Sequence, residues 1–450
     1  MSARRWFVGA LGALLSLSPV HVRADEAHPE FRRLVKVLGF GTLQDPGGST
    51  QNPDNLLEIP SSVFETELRL DMSLDYGPMS LLAKPRLNGF HAEWDEGRRS
   101  GESDTDADAF VHEWEAALAL GERLRASYGR ENLQWGPSAL ASPSNPFIRD
   151  NGRRNPKREV PGADFAKVLW IPSGDWSVSV IVNTDEGRAR RPGNGDRTSS
   201  SSFSADPDFR RAYALKLDCQ TFEKYASAIG WYREAGGEDE PEQVGLGGFA
   251  GWAATDALLL HAEASATSRG SERAPVDDPS SPFGIRLVPA RTERDDLAAI
   301  LLLGGSYTLE SGPTFTVEYL FNGEGYKDLE AERYFDLRRA AASAVFMEDE
   351  RALIGRHTLA QTLDPGLRLL RRNYVLVQVQ RTRIRNVLDV ILRGAFNADD
   401  RSGQFVPVLQ CDVGDHAQLF LTGIQNFGPA DSEFRSLGRF TYSLGIEYTF

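Results

Sequence analysis

The sequence predicts an all-β protein, a transmembrane antiparallel up-and-down β-barrel of about 16 to 18 strands. Three observations predict this fold class. Apolar and polar residues alternate in segment after segment, the links between segments are alternately short and long, and the chain ends within a strand, on Phe450. Because successive side chains of a strand point to opposite faces, this alternation gives each segment one apolar and one polar face.

The last twelve residues, RFTYSLGIEYTF, show the pattern most clearly. Every second residue from Phe440 to Phe450 is apolar or aromatic, and the residues between them are small or polar. No turn residue follows that could lead to a covering element, so the apolar face needs a partner outside the chain. A bilayer is such a partner, and a sheet in lipid must close on itself so that all its backbone groups are paired. The last strand then pairs with the first.

About eighteen segments carry this alternation, as expected for a large barrel. The predicted strands lie near residues 34–43, 61–74, 79–91, 109–121, 123–134, 164–172, 175–184, 209–219, 223–233, 244–254, 256–268, 296–309, 313–323, 373–380, 383–396, 403–412, 415–426 and 438–450. Short links such as DYGP and VGD alternate with long polar links at 135–163, 185–208, 269–295 and 324–371. In a membrane barrel the short turns lie in the periplasm and the long loops lie outside the cell.

Composition excludes a helical membrane protein. The hydrophobic fraction is 41%, the mean hydropathy is −0.37, and no internal run reaches the roughly 18 apolar residues that a spanning helix needs. Residues 1–24 are typical of a secretory signal peptide, with Arg4 and Arg5 before an apolar run and a cleavage site after Ala24. A short membrane anchor is the alternative, but the run is too short to span a bilayer. We expect residues 25–450 to form one exported barrel domain.

The chain has only two cysteines, Cys219 and Cys411. This number is too small for a disulfide framework in an exported protein. Both cysteines share the phase of the lipid-facing residues in their segments, about eight strands apart in the predicted order. We therefore expect them on opposite walls and not bonded.

The signal peptide, the alternating strands, the link parity and the terminal aromatic residue together resemble Gram-negative outer-membrane β-barrels. The segment ASYGRENLQWGPSALASPSNPF, residues 126–147, resembles a strand-then-loop segment of large porin-like and polysaccharide-export barrels, such as the alginate-export and capsule-assembly type. The alternative explanation of Trp135-Gly136-Pro137 is an aromatic residue at the membrane interface followed by two turn residues, which needs no relation to those barrels. The resemblance implies an outer-membrane location, lipid and lipopolysaccharide as partners, and Phe450 as an assembly signal for the barrel-assembly machinery.

A barrel of this size is too wide for side chains to fill and leaves an aqueous lumen. Mixed charges on the polar faces predict a hydrated wall with cross-strand ion pairs. The residues predicted by strand phase to face the lumen are Glu65, Glu67, Arg69, Asp71, Glu113, Glu115, Lys216, Asp218, Glu263, Glu318, Arg385, Asp389, Arg393 and Glu447. They predict a channel for diffusion or export of polar solutes, with anionic solutes or saccharides as candidates.

Two long loops are basic although the chain carries a net charge of −14. We predict an extracellular basic patch at the mouth, opposed by the acidic segment 91–108. The patch would focus anionic solutes or acidic polysaccharide, or bind lipopolysaccharide phosphates. Its residues are Arg149, Arg153, Arg154, Lys157, Arg158, Arg188, Arg190, Arg191 and Arg197.

Two alternatives come from other classes of protein. His261, Glu263 and Ser265 share one face and permit a hydrolase hypothesis, but alternate residues of a strand lie about 7 Å apart, too far for a proton relay. The sequence also lacks a nucleophile elbow, so we do not expect an enzyme. Residues 326–347 contain no Pro or Gly and predict a helix, which could plug the lumen of a structural or polysaccharide-binding barrel. We expect no metal, cofactor or nucleic-acid partner.

Overall fold

The computed structural model describes residues 29–46, 49, 51–138, 141–147, 155–188, 209–236, 241–268, 272–290, 297–363, 365, 367 and 369–450. These residues contain a closed, all-antiparallel sheet of 18 strands. The predicted fold class is confirmed. The predicted signal peptide lies outside the described residues.

All eighteen predicted strands correspond to strands of the barrel wall. The wall strands are β1 (Glu30–Asp45), β2 (Ser62–Tyr76), β3 (Met79–Glu93), β4 (Ser103–Ala119), β5 (Leu124–Glu131), β6 (Ala163–Ser173), β7 (Trp176–Asp185), β8 (Ala212–Gln220), β9 (Lys224–Arg233), β10 (Gln243–Ala253), β11 (Leu258–Ser268), β14 (Leu297–Thr308), β15 (Thr314–Asn322), β16 (Asn373–Ile384), β17 (Leu388–Asn397), β18 (Ser402–Val413), β19 (Ala417–Phe427) and β20 (Phe440–Thr449). A separate hairpin, β12 (Arg273–Asp277) with β13 (Ile285–Pro289), lies in the long link between β11 and β14.

The barrel closes between its first and last strands. Strand β20 pairs with β1 from Lys36↔Thr449 to Asp45↔Phe440, while β1 also pairs with β2 along nearly its whole length. The other wall strands pair with their sequence neighbours, and β14 pairs with β11 across the link that holds the hairpin. This pairing gives the wall a short-turn end and a long-loop end, which agrees with the predicted link parity.

Two strand boundaries differ from the prediction for clear physical reasons. Strand β4 begins at Ser103, about six residues early, because its first residues are polar and hide the alternation. Strand β16 continues to Ile384, and a turn with positive φ at Arg385 (53°) and Asn386 (65°) leads to Leu388. Arg385 is exposed in this turn, so its predicted place on the lumen wall is wrong.

The outer surface of the wall is apolar. Large side chains such as Leu246 (71% exposed), Val317 (54%) and Leu444 (62%) point away from the barrel. Aromatic residues lie near both rims: at the short-turn end Tyr76, Trp176, Trp252, Tyr307 and Tyr448, and at the long-loop end Phe64, Phe396, Phe405 and Phe427. An apolar outer band between two aromatic girdles is the architecture of transmembrane β-barrels.

A pair of helices lies in the long link between β15 and β16. The predicted helix at 326–347 is confirmed as α1 (Asp328–Ala344), and it is followed by α2 (Glu350–Leu363), which the sequence analysis missed. The helices bury Ala341, Ala342 and Leu359 against the segment after β1, at the long-loop end. No helix in the described part of the chain is long and apolar enough to cross a membrane.

Both cysteines are free, as predicted. Cys219 lies on β8 and Cys411 on β18, which are eight strand-to-strand steps apart in the closed sheet. This separation places them on opposite walls and confirms the predicted strand order.

Phe450 completes the seam between the first and last strands. Its backbone N–H donates to the carbonyl of Val35 at 3.0 Å, and its ring packs edge-on against Tyr448 at 4.8 Å. The ring is 70% exposed on the outer surface, at the short-turn rim.

We predict that deleting Phe450 lowers the amount of assembled barrel severalfold, because it removes a seam hydrogen bond and a rim aromatic. The measurement is heat-modifiable migration of the protein from isolated membranes on gels. Phe450→Trp, which keeps both features, should assemble normally. Equal levels of all three proteins would contradict the role of this residue in assembly.

Candidate functional site

The inner face of the wall carries nearly all the residues predicted to face the lumen. On β2, for example, Glu65, Glu67 and Arg69 share a face with buried Val63, whereas Phe64 on the other face is 54% exposed. The residues on the inner face are Glu65, Glu67, Arg69, Asp71, Glu113, Glu115, Lys216, Asp218, Glu263, Glu318, Asp389, Arg393 and Glu447. Their part in permeation stays a prediction.

The described parts of the link between β5 and β6 lie against the inner wall of the barrel. We call these described residues the inner loop; its first arm is residues 132–138 and 141–147, and its second arm is residues 155–162. The first arm contacts the wall from β6 to β15, and the second contacts β1 to β4, β19 and β20. The two arms therefore run along different parts of the inner wall.

Glu263 on β11 holds the first arm. One of its carboxylate oxygens accepts hydrogen bonds from Ser142 Oγ (3.0 Å), Ser144 Oγ (2.6 Å) and the Ser144 backbone N–H (2.8 Å). The side chain is only 1% exposed. Hydrogen bonds to a charged acceptor are stronger than those between neutral groups, so these contacts fix the arm against the wall.

A second carboxylate anchors the same arm two strands further along the wall. Glu318 on β15 accepts from Ser138 Oγ at 2.7 Å and contacts His261 Nε2 at 3.0 Å. His261 thus pairs with Glu318, while Ser265 lies on the same strand as His261, four residues away. This geometry does not form the serine–histidine pair that the hydrolase hypothesis requires.

The start of the first arm packs through aromatic residues. Trp135 and Phe147 pack on a cluster that includes Phe165 and Ile181 of the wall. Between them, Gly136 has φ +95°, and a Cβ there would lie 2.5 Å from Glu263 Oε2. Only glycine fits this close approach. The Trp-Gly-Pro segment therefore passes directly beside Glu263 of the inner wall.

The second arm is held by ion pairs. Lys157 Nζ contacts Glu447 Oε2 at 3.2 Å and donates to Gln418 Oε1 at 2.6 Å, and the Lys157 carbonyl accepts from Arg69 Nη2 at 2.5 Å. Arg158 pairs with Glu65. The next residue, Glu159, takes part in the cluster described below.

These contacts correct the prediction for the members of the basic patch that the structure describes. Lys157 is only 7% exposed and Arg158 is partly buried, so both lie inside the barrel instead of at an exposed mouth. Arg188 is 6% exposed, with its guanidinium 3.1 Å from the Phe110 ring centre. Inward carboxylates in a confined space favour cations beside them, and the loop supplies those cations. The other predicted members, Arg149, Arg153, Arg154, Arg190, Arg191 and Arg197, lie outside the described residues.

Arg86 on β3 is the centre of the charged wall, and the sequence analysis missed it. Its guanidinium binds both oxygens of Glu159 at 2.7 Å and Asp71 Oδ1 at 2.8 Å, with 2% of the side chain exposed. His112 lies nearby, with Nε2 3.8 Å from Glu159 Oε2. The register shift between Lys84 and Pro85 leaves His112 without a strand partner and turns it inward, a bulge that alternation alone does not reveal.

A small cavity of ≈ 50 Å³ lies between this wall and the second arm. Such a volume holds a few water molecules. Three carboxylates and two guanidiniums share it with polar and aromatic groups; its lining includes Glu65, Glu67, Arg86, Phe110, His112, Arg158 and Glu159. The cavity beside the second arm is thus small and lined by charges that are mutually paired.

The wall of β16 and β17 has a different chemistry. Gln378 and Gln380 lie next to each other on the inner face, and Arg393 Nε donates to Gln378 Oε1 at 2.7 Å. Amide side chains donate and accept without net charge. No group of three or more metal-ligating side chains is arranged to hold an ion in the part of the chain that the structure describes.

Glu263→Ala should release the first arm, because it removes an acceptor shared by three hydrogen bonds, each worth about 1.5–3 kcal/mol when charged. We expect amide exchange in residues 141–147 to accelerate at least about tenfold. Hydrogen–deuterium exchange with mass spectrometry measures this. Glu223→Ala, in an exposed short turn, is the matched control. Unchanged exchange in 141–147 would show that Glu263 does not hold the arm.

Comparison with known proteins gives matches by structure only. No family model and no curated protein matches the chain. Among the solved structures that match are OccK5 (OpdH) of Pseudomonas aeruginosa (11% identity, 94% of this chain and 98% of that chain, TM-score 0.51) and OccAB3 of Acinetobacter baumannii (12%, 94% and 99%, TM-score 0.51). OprD of Pseudomonas aeruginosa also matches (10%, 94% and 97%, TM-score 0.50).

These neighbours are Gram-negative outer-membrane porins. At such low identity the likeness concerns the fold alone, and it extends over nearly the whole length of both chains. The finer resemblance to alginate-export barrels stays a prediction. The chain has the fold of a Gram-negative outer-membrane β-barrel.

Proposed function

We propose that the chain is a passive channel for small polar solutes in the outer membrane of a Gram-negative bacterium. The apolar outer band suits a bilayer, and the inner face is polar and charged. The fold shared with outer-membrane porins supports the same location and role. In this orientation the short turns are periplasmic and the long loops are extracellular.

The inner loop is the observation that carries the proposal. A closed wall of 18 strands encloses a lumen too wide to select small solutes. The loop narrows it, and its two arms are fixed to different walls by Glu263 and Glu318 on one side and by Glu65, Glu447 and Arg86 on the other. A rigid constriction of this kind sets a size limit for diffusing solutes.

The pairing of charges narrows the class of solute. Each described cation of the second arm has a carboxylate partner within the lumen, and amide groups line the wall of β16. Paired charges produce a weaker net field than separated ones. We infer that uncharged polar solutes such as small saccharides pass readily and that the channel has a weak preference between anions and cations.

Liposome swelling tests the proposed channel directly. Proteoliposomes should swell in isotonic solutions of small sugars and swell more slowly as the sugar becomes larger. Swelling equal to that of protein-free liposomes would favour the alternative, a structural or surface-polysaccharide-binding barrel whose lumen is blocked. Hydrolysis of lipid by the purified protein would instead support the hydrolase hypothesis.

We predict that Lys157→Glu with Arg158→Glu makes the channel clearly cation-selective, because it reverses two charges beside Glu447 and Glu65. Planar-bilayer reversal potentials under a salt gradient measure this, and the unaltered protein should give a value near zero. Arg98→Glu, an exposed charge in the link between β3 and β4, is the control for charge reversal. A double variant with the reversal potential of the unaltered protein would show that the second arm plays no part in permeation.

A further inference from the structure

Glu433 joins several segments at the long-loop end of the barrel. It lies in the link 428–439 between β19 and β20. Its carboxyl group accepts hydrogen bonds from the Leu370 N–H (2.9 Å), Asn397 Nδ2 (2.8 Å) and the Tyr374 hydroxyl (2.6 Å). Its own backbone N–H donates to Asp400 Oδ2 at 2.8 Å. One side chain thus connects the last link to the link that carries both helices and to strands β16 and β17.

Phe434, the residue after Glu433, packs the same link against the inner side of the barrel mouth. Phe434 packs edge-on against the Tyr374 ring, with centroids 6.4 Å apart. It also packs on the buried inward cluster of Leu302, Leu320 and Leu376. Leu369 and Ala141 of the other two loops reach the same cluster. The position of link 428–439 therefore affects the packing of two other loops: the inner loop and the link that carries both helices.

The charged groups around Glu433 do not neutralise it. Asp400 faces it from the turn after β17, and Tyr374 faces it from β16. The Arg371 guanidinium is directed to Asp328, Asp399 is engaged by the backbone of Arg372, and no cation in the described ranges forms an ion pair with Glu433. Burial, together with the nearby Asp400 carboxylate, raises the pKa of Glu433 to about 7.

We propose that Glu433 is a proton-controlled latch: the protonated side chain holds links 323–372 and 428–439 together over the mouth, and loss of the proton loosens them. The direction follows from linkage. A carboxyl whose pKa is higher in the docked state, about 7, than in the released state, near 4.5, stabilises docking fully below pH about 4.5. This contribution is lost as the pH rises through about 7. The consequence for permeation rests on the proposed channel function; the loosening of the links does not.

Hydrogen–deuterium exchange of the full-length protein tests the latch, with rates corrected for the intrinsic effect of pH. Between pH 5.5 and 8 the opening of peptides covering 369–374 and 428–438 should increase by roughly tenfold or more. Glu433→Gln, which cannot ionise, should abolish this dependence. Glu332→Gln on the exposed face of α1 should keep it. Exchange that does not depend on pH in the unaltered protein would overturn the proposal, and so would equal slopes in the unaltered protein and the Glu433→Gln variant.

A second variant covers the case in which Glu433→Gln fails to fold. Tyr374→Phe removes a hydrogen bond that favours the ionised carboxyl, so the midpoint of the exchange transition should move to higher pH. An unchanged midpoint would count against the latch.

Single-channel recordings over the same pH range separate the two proposals. Conductance or open fraction should increase as the pH rises from 5.5 to about 7, level off above it in the unaltered protein, and stay constant in Glu433→Gln. No current at any pH, with the exchange slope intact, would refute the channel and support the latch. Steady current with no pH dependence in either protein, together with exchange that does not depend on pH, would refute the latch and leave the channel standing; the same steady current with the exchange slope intact would refute only the effect of the latch on permeation.

Discussion

The need to pair every backbone group within a bilayer determines the rest of this structure. A sheet surrounded by lipid has no water to satisfy its edges, so it must close, and β20 meets β1 in a continuous register. Closure assigns one face of each strand to lipid and the other to the interior. Polar side chains at every second position then have only the lumen to face, which concentrates charge in a confined space.

That concentration of charge explains why a long loop folds inward. Carboxylates such as Glu65 and Glu447 on the inner wall would repel one another and lose hydration in a narrow lumen. Lys157 and Arg158 from the second arm lie beside them. The loop is thus both the obstruction that narrows the lumen and a source of countercharges, beside wall cations such as Lys36 and Arg69. Its two roles cannot be separated, because weakening the ion pairs also releases the constriction.

The strands could be predicted from the sequence because the alternation of apolar and polar residues shows which face of each strand contacts lipid. The turn at Arg385 could not, since residues 381–388 around it contain neither Gly nor Pro. The course of the inner loop was also hidden: Ser142 and Ser144 look like ordinary loop residues, and their value comes from Glu263, more than a hundred residues away. The sequence did offer one signal: Glu263 faces the lumen with no lysine or arginine near it along its strand, which indicates that a partner must come from elsewhere in the chain. The inward positions of Lys157 and Arg158 were missed for a related reason, since strand order gives the position of a loop's ends and not the direction in which it folds.

The chemistry of each attachment distinguishes fixed contacts from those that can respond to conditions. The second arm is held by lysine and arginine beside carboxylates, with Arg86 bridging Glu159 and Asp71. Although burial opposes it, the Arg86 guanidinium helps to lower the pKa of Glu159 to about 2, so this contact persists over a wide pH range. Glu433 is held by an amide, a hydroxyl and a backbone N–H. These donors satisfy hydrogen bonds but do not neutralise a charge, and the charged group that binds its own backbone is the acidic Asp400. The constriction is therefore built from contacts that resist changes in pH, whereas the loops above it are joined through one that does not.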